Sequence, residues 1–252
     1  LQVLTTSQIA GLTSQQVFDL STNTIQYLTT TQIAAIETTD LKVMSTDQLL
    51  GLNSSQVRAL ITAQMVELTS VQLAGLSSAA VAVLTTQQLS ALSDANRNYL
   101  DVASIAALGS TQMAGLTTTQ FAGLSTTAIA ALNTSTVSSL TTAQIAALTT
   151  KQALNLTTTT LTALTTKQIA VLETSDLELL TSSNIAILSS VQLQALTTSQ
   201  VAGLSTQQVF EMNTTTLQAL TTRQIAALET SDVAVLGTSS IEGLLTTQLR
   251  AL

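Results

Sequence analysis

The sequence predicts an all-α fold, a solenoid or superhelix of very short helices with one helix per eight-residue repeat. Three observations predict it. A Leu, Ile or Met recurs every eight residues from Leu4 to Leu252 without insertion or deletion, giving 31 octads in a chain of 252 residues. The residue after this apolar beat is Thr, Ser, Asn, Asp or Gly in 26 of the 31 octads, and a glutamine stands three residues further on in 18. Self-similarity at a fixed short period points to an array and not to a globular domain. Residues 1–252 are therefore expected to be one continuous octad-repeat array, cut as a segment from a longer repeat protein because neither end carries a polar capping unit.

Each position of the octad has a physical part, seen in the stretch Leu140-Thr141-Thr142-Ala143-Gln144-Ile145-Ala146-Ala147. Position 1 is Leu except at Ile36, Met44 and Met212, and position 6 is Ile, Val, Leu, Met or Phe except at Arg97 and Ala153. These two positions are the expected core. Position 2 carries good helix N-caps, whose side chains accept a hydrogen bond from an unpaired N–H of the first turn. Its exceptions are Glu37, Ile61, Glu173, Glu229 and Leu245. Gln at position 5 completes a capping box by reaching back to the N–H of the cap residue; Asp40, Asp176 and Asp232 take that place in three further octads. Position 8 is most often Ala or Gly and position 7 most often Ala, which allows neighbouring backbones to approach closely.

One uninterrupted helix does not fit this pattern. Eight residues at about 100° each overshoot two turns by about 80°, so the leucines would wander around the axis and define no face. A β-solenoid is the alternative, since Thr, Ile and Val favour strands. Against it, position 6 and the next position 1 are three residues apart, which places them on one face of a helix. The predicted unit is a helix of about five to six residues, too short to stand alone and held by its neighbours in the stack.

Composition excludes several function classes. The chain has no His, Cys, Pro or Trp, so imidazole bases, thiol nucleophiles and soft-metal clusters are ruled out. No catalytic, cofactor-binding or metal-ligating set of residues is expected, no cofactor is implied, and the chain reads as no enzyme. No small-molecule substrate is evident either. A net charge of −7 and seven scattered basic residues speak against nucleic acid. Polar residues interrupt every octad, leaving no run of about 18 apolar residues for a membrane span.

A few places stand out. In the octad at 92–99, Ser93-Asp94-Ala95-Asn96-Arg97-Asn98-Tyr99 follows Leu92, and Arg97 takes a core position. The functional reading is a bend, a partner contact or a small polar site using Asp94, Asn96, Arg97 and Asp101; the plainer reading is a tolerated defect in which Arg97 snorkels along apolar surface and Tyr99 covers the gap. The phrases Glu37-Thr38-Thr39-Asp40, Glu173-Thr174-Ser175-Asp176 and Glu229-Thr230-Ser231-Asp232 set two carboxylates three residues apart. Calcium wants six to eight oxygens, so a pair is thin, and the helix dipole already explains acid in a first turn. Phe18, Phe121, Phe210, Tyr27 and Tyr99 are either partner anchors or packing. Residues 1–60 and 193–252 are identical at 35 of 60 positions, as block duplication would leave them.

Written as Leu-Thr-Thr-x-Gln-Ile-Ala-Ala, the repeat resembles the Thr-rich short-repeat tracts of very large bacterial secreted or cell-surface proteins, often called adhesin-like. That resemblance spans the chain and implies an extracellular, structural setting. Leu4-Thr5-Thr6-Ser7-Gln8-Ile9 also looks like the opening of a TAL-effector repeat, but without the Pro, the second helix, the base-reading loop or basic charge, so DNA binding does not carry over. The expected function is a structural stalk, fibre or sheath on or outside a bacterial cell, self-associating into a homo-oligomer or filament. The alternative is an adhesin, or an ice- or glycan-binding array, that uses regularly spaced Thr and Ser hydroxyls.

Overall fold

In most of the described octads the side chain of the second residue caps the helix that follows it, as its chemistry dictates. In the computed structural model, which describes residues 3–92, 100 and 102–252, Thr141 is extended (φ −72°, ψ 153°). Its Oγ1 accepts from the Gln144 N–H at 3.1 Å, and its own N–H donates to Gln144 Oε1 at 2.9 Å. Both halves of a capping box are therefore made. The helix Thr142–Ala146 follows. The Ile145 N–H donates to the Thr141 carbonyl at 3.1 Å and the Leu148 N–H to the Ile145 carbonyl at 3.2 Å, which closes the last turn. At the next position 1 the chain becomes extended again, as at Leu140 (φ −56°, ψ 143°), and the cycle restarts.

Among the described residues there are 30 such helices, each of four to six residues, and no strand. The fold is all-α, and the β-solenoid alternative falls. The reason is local: a cap in most octads and a reaching glutamine in 18 of the 31 commit the hydroxyl and amide groups to helix starts, where a β-solenoid would use them in ladders.

Positions 1 and 6 make the core. Ile25, Val137, Leu161, Ile169 and Leu217 at position 6 are fully buried, and leucines such as Leu68, Leu84 and Leu108 at position 1 nearly so. Ala153 is also buried at position 6. No helix among the described residues is long and apolar enough to cross a membrane.

The chain divides into two compact units, Leu1–Ala131 and Leu132–Leu252, with the division falling between octads. In the first unit the helix Ser14–Phe18 packs on Thr38–Val43, that on Thr62–Glu67, and that on Thr86–Ala91. In the second, Thr166–Ile169 packs on Ser190–Ala195, that on Thr214–Ala219, and that on Thr238–Glu242. Each contact skips two helices. Within a unit, three octads therefore complete one circuit of the chain.

The small residues at position 8 serve this stacking, but they face a side chain and not a backbone. A Cβ built on Gly51 would lie 2.2 Å from Thr22 Cγ2, on Gly203 2.0 Å from Thr174 Cγ2, and on Gly243 2.3 Å from Thr214 Cγ2. In each pair the threonine stands at position 3 in the circuit below. No glycine has positive φ, so space, not backbone freedom, is what these glycines supply.

Candidate functional site at the joint between circuits

The last carbonyls of a helix have no partner within it. In this chain the glutamine of a later circuit serves them. Gln48 Nε2 donates to the carbonyls of Val17 (3.0 Å), Phe18 (3.0 Å) and Leu20 (2.7 Å). Gln56 repeats this on Ile25, Gln26 and Leu28 at 2.9, 3.2 and 2.8 Å. In the second unit Gln168 reaches Val137 and Leu140 at 2.9 and 2.8 Å, and Gln224 reaches Leu193 and Leu196 at 2.7 Å each. The acceptors lie 28, 30 and 31 residues back. One side chain thus does two jobs: Oε1 holds the start of its own helix, and Nε2 holds the end of a helix in the circuit below.

The two jobs are separable. Where the cap residue has no suitable side chain, the backward half persists: the N–H groups of Ile61, Gly109 and Leu245 still donate to Oε1 of Gln64, Gln112 and Gln248 at 2.9, 2.7 and 3.0 Å. Most of these glutamines are buried, Gln64 completely. A signal for the second job was present in the octads: position 5 holds 18 glutamines and no glutamate, although glutamate completes a capping box equally well. Only the amide has hydrogens to donate forward.

The three acidic octads break this rule. Asp40, Asp176 and Asp232 are buried at position 5. Ser14 Oγ donates to Asp40 Oδ1 at 2.6 Å, and the Thr150 hydroxyl, at the equivalent place one circuit back, bonds to Asp176. Burial, reinforced by the nearby Glu173 charge and opposed by the Thr150 hydrogen bond, pushes the Asp176 carboxyl above its usual range. Glu37, Glu173 and Glu229 stand at the N-caps of these helices without making a side-chain cap bond. Among the described residues no group of three or more His, Cys, Asp or Glu comes together as a metal site would need.

The surface carries its own links between circuits. Lys42 pairs with Glu67. Arg58 Nε donates to the Val83 carbonyl at 2.9 Å and Gln218 Nε2 to the Gly243 carbonyl at 2.6 Å. Glu211 accepts from Gln207 and Ser182, which holds its carboxyl below the usual range. Of the aromatics, Phe121 is fully buried at position 6, while Phe18, Phe210 and Tyr27 are more than half exposed. Tyr99 lies outside the described residues, as do Asp94, Asn96, Arg97 and Asp101.

The octad thus amounts to Ala-Leu-Thr-Thr-x-Gln, read across its boundary, with a donor, an acceptor and a cap in fixed places. Two stretches match the ALTTAQ repeat. They are residues 33–70 and 169–206, one in each compact unit. Both matches begin on a buried isoleucine at position 6, Ile33 and Ile169. The ALTTAQ phrase itself recurs with a single letter changed, as at Ser139-Leu140-Thr141-Thr142-Ala143-Gln144 and Ala195-Leu196-Thr197-Thr198-Ser199-Gln200. The chain contains a repeat region of this kind. Compared with curated proteins, it matches none.

Proposed function

We propose that this chain is the structural part of a bacterial surface or secreted protein, forming a stalk, fibre or sheath and associating with further copies into filaments. The observation that carries the reading is the glutamine joint. Each circuit offers backbone carbonyls at its helix ends and receives amide donors from a later one, as with Gln200 on Ile169 and Leu172 at 3.0 and 2.7 Å. Such a unit adds to itself at a constant step, and stability in such arrays is a sum of unit and neighbour terms. Identical heterologous contacts that do not close into a ring build open-ended assemblies. The lack of His and Cys and the net charge of −7 support a scaffold and not a catalyst or nucleic-acid binder. The resemblance to Thr-rich surface tracts supports the extracellular setting.

The hydroxyl-array alternative gains less. Position 3 is Thr or Ser in 29 of 31 octads; at some of these the side chain packs against position 8 of the circuit above or bonds to position 5, as at Thr22 and Ser14, and at most of them the residue is exposed. Position 4, the other exposed place next to it, carries Thr or Ser in only 16 of 31 octads, so the hydroxyl pairs are not continuous along the chain. Electron microscopy of the purified chain tests the structural reading: elongated or filamentous particles are expected, and isolated globular ones contradict it. A thermal-hysteresis measurement on the same material is expected to be null.

A further inference from the structure

Asp176 stands where glutamine donates to the circuit below, and it is 4% exposed. In the register of the glutamine octads, the carbonyls that fall to it are those of Ile145 and Leu148, at the end of a helix. A carboxylate there is acceptor-only and has nothing to give a carbonyl. It holds the circuit below through a hydroxyl instead, and Asp40 does the same with Ser14.

We propose that the Glu173-Thr174-Ser175-Asp176 octad is a proton-dependent joint, loosened when Asp176 is ionised and tightened when it binds a proton. Protonation removes the cost of a buried charge and gives the side chain a hydrogen to donate, in the register of the Ile145 and Leu148 carbonyls. The environment favours it at Asp176. On its own helix Glu173 and Glu178 are both acidic; the helix Thr150–Leu154 below brings Lys151, exposed at position 4; the helix Thr198–Ala202 above and Thr142–Ala146 bring no charge. Lys167, on the preceding helix, is also exposed at position 4.

Burial raises the Asp176 carboxyl above 3.8 in the folded chain. The folded joint then binds the proton more tightly than the unfolded chain does, so its extra stability is complete below pH 3.8 and is lost as pH rises through the folded value. The test is hydrogen exchange on the full chain, comparing amide protection in Thr150–Leu154 and Thr174–Leu179 between the native chain, Asp176→Asn and Asp176→Gln at pH 4 and pH 7. The native chain is expected to lose protection between pH 4 and pH 7 relative to both variants, which carry no titrating group there. Asp176→Gln, which restores the majority side chain, keeps the comparison valid if the asparagine variant folds poorly. The same ratio of native to variant protection at both pH values overturns the proposal.

Discussion

Glutamine at position 5 bears more of the structure than its size suggests, because its two ends act on different circuits. Replacing Gln168 with glutamate keeps the acceptor for the Thr165 N–H but removes the donor for Val137 and Leu140 and buries a charge beside their carbonyls. The expected loss is about 3 kcal/mol of local stability at neutral pH, read as lost amide protection in Thr134–Ser139 and Thr166–Ile169. Thr165→Ala removes only the cap and is expected to cost about 1 kcal/mol. A glutamate variant no worse than the alanine one contradicts the forward role of the amide. The cap and the backward bond were legible in the spacing of Thr and Gln, because both act within four residues. The forward bond was not, since its acceptors lie 28 to 31 residues away and are backbone atoms, which leave no mark in sequence. Only the absence of glutamate hinted at it.

A single helix of five residues is marginal in water, so each element here is as stable as its two neighbours in the stack make it. Large apolar side chains count according to position, not type. Phe121, fully buried at position 6, is expected to cost about 3–5 kcal/mol on truncation to alanine. Phe18, at position 7 and 55% exposed, is expected to cost no more than about 0.5 kcal/mol. Denaturant midpoints of the two variants check this contrast, and equal losses would show that position 7 is part of the core. Glycines divide in the same way. Gly237 has open space around its missing Cβ and sits at an N-cap, so Gly237→Ser is expected to raise stability by a few tenths of a kcal/mol, whereas Gly203→Leu drives a side chain into Thr174 and lowers it. The start and length of each helix followed from positions 2 to 6, and the core from positions 1 and 6. The purpose of the small residues was legible only in part. An alanine or glycine signals close approach, but that the approaching group is a threonine methyl of the circuit below depends on how many octads make a circuit.

For the whole chain, that number is the quantity on which all the pairings rest. The offsets of 25, 26 and 28 residues in the side-chain bonds all follow from three octads per circuit. A period of eight does not by itself choose between two, three or four octads per circuit, because every octad offers the same groups. Circular dichroism is expected to show a helical spectrum from a chain rich in Thr and Val; a clean β spectrum would contradict the fold. The circuit itself is tested most directly by distance measurement between spin labels on cysteines introduced in pairs, which is clean because the chain has no cysteine of its own. Ser175, Val191, Ser199 and Gln207 all occupy exposed position 4 within the second unit. With three octads per circuit, the pair 175 and 199 is the closest, near the spacing of packed helices at about 10 Å between backbones, and both 175 to 191 and 175 to 207 are longer. A shorter distance in either of the latter pairs would contradict the three-octad circuit and, with it, the glutamine joint.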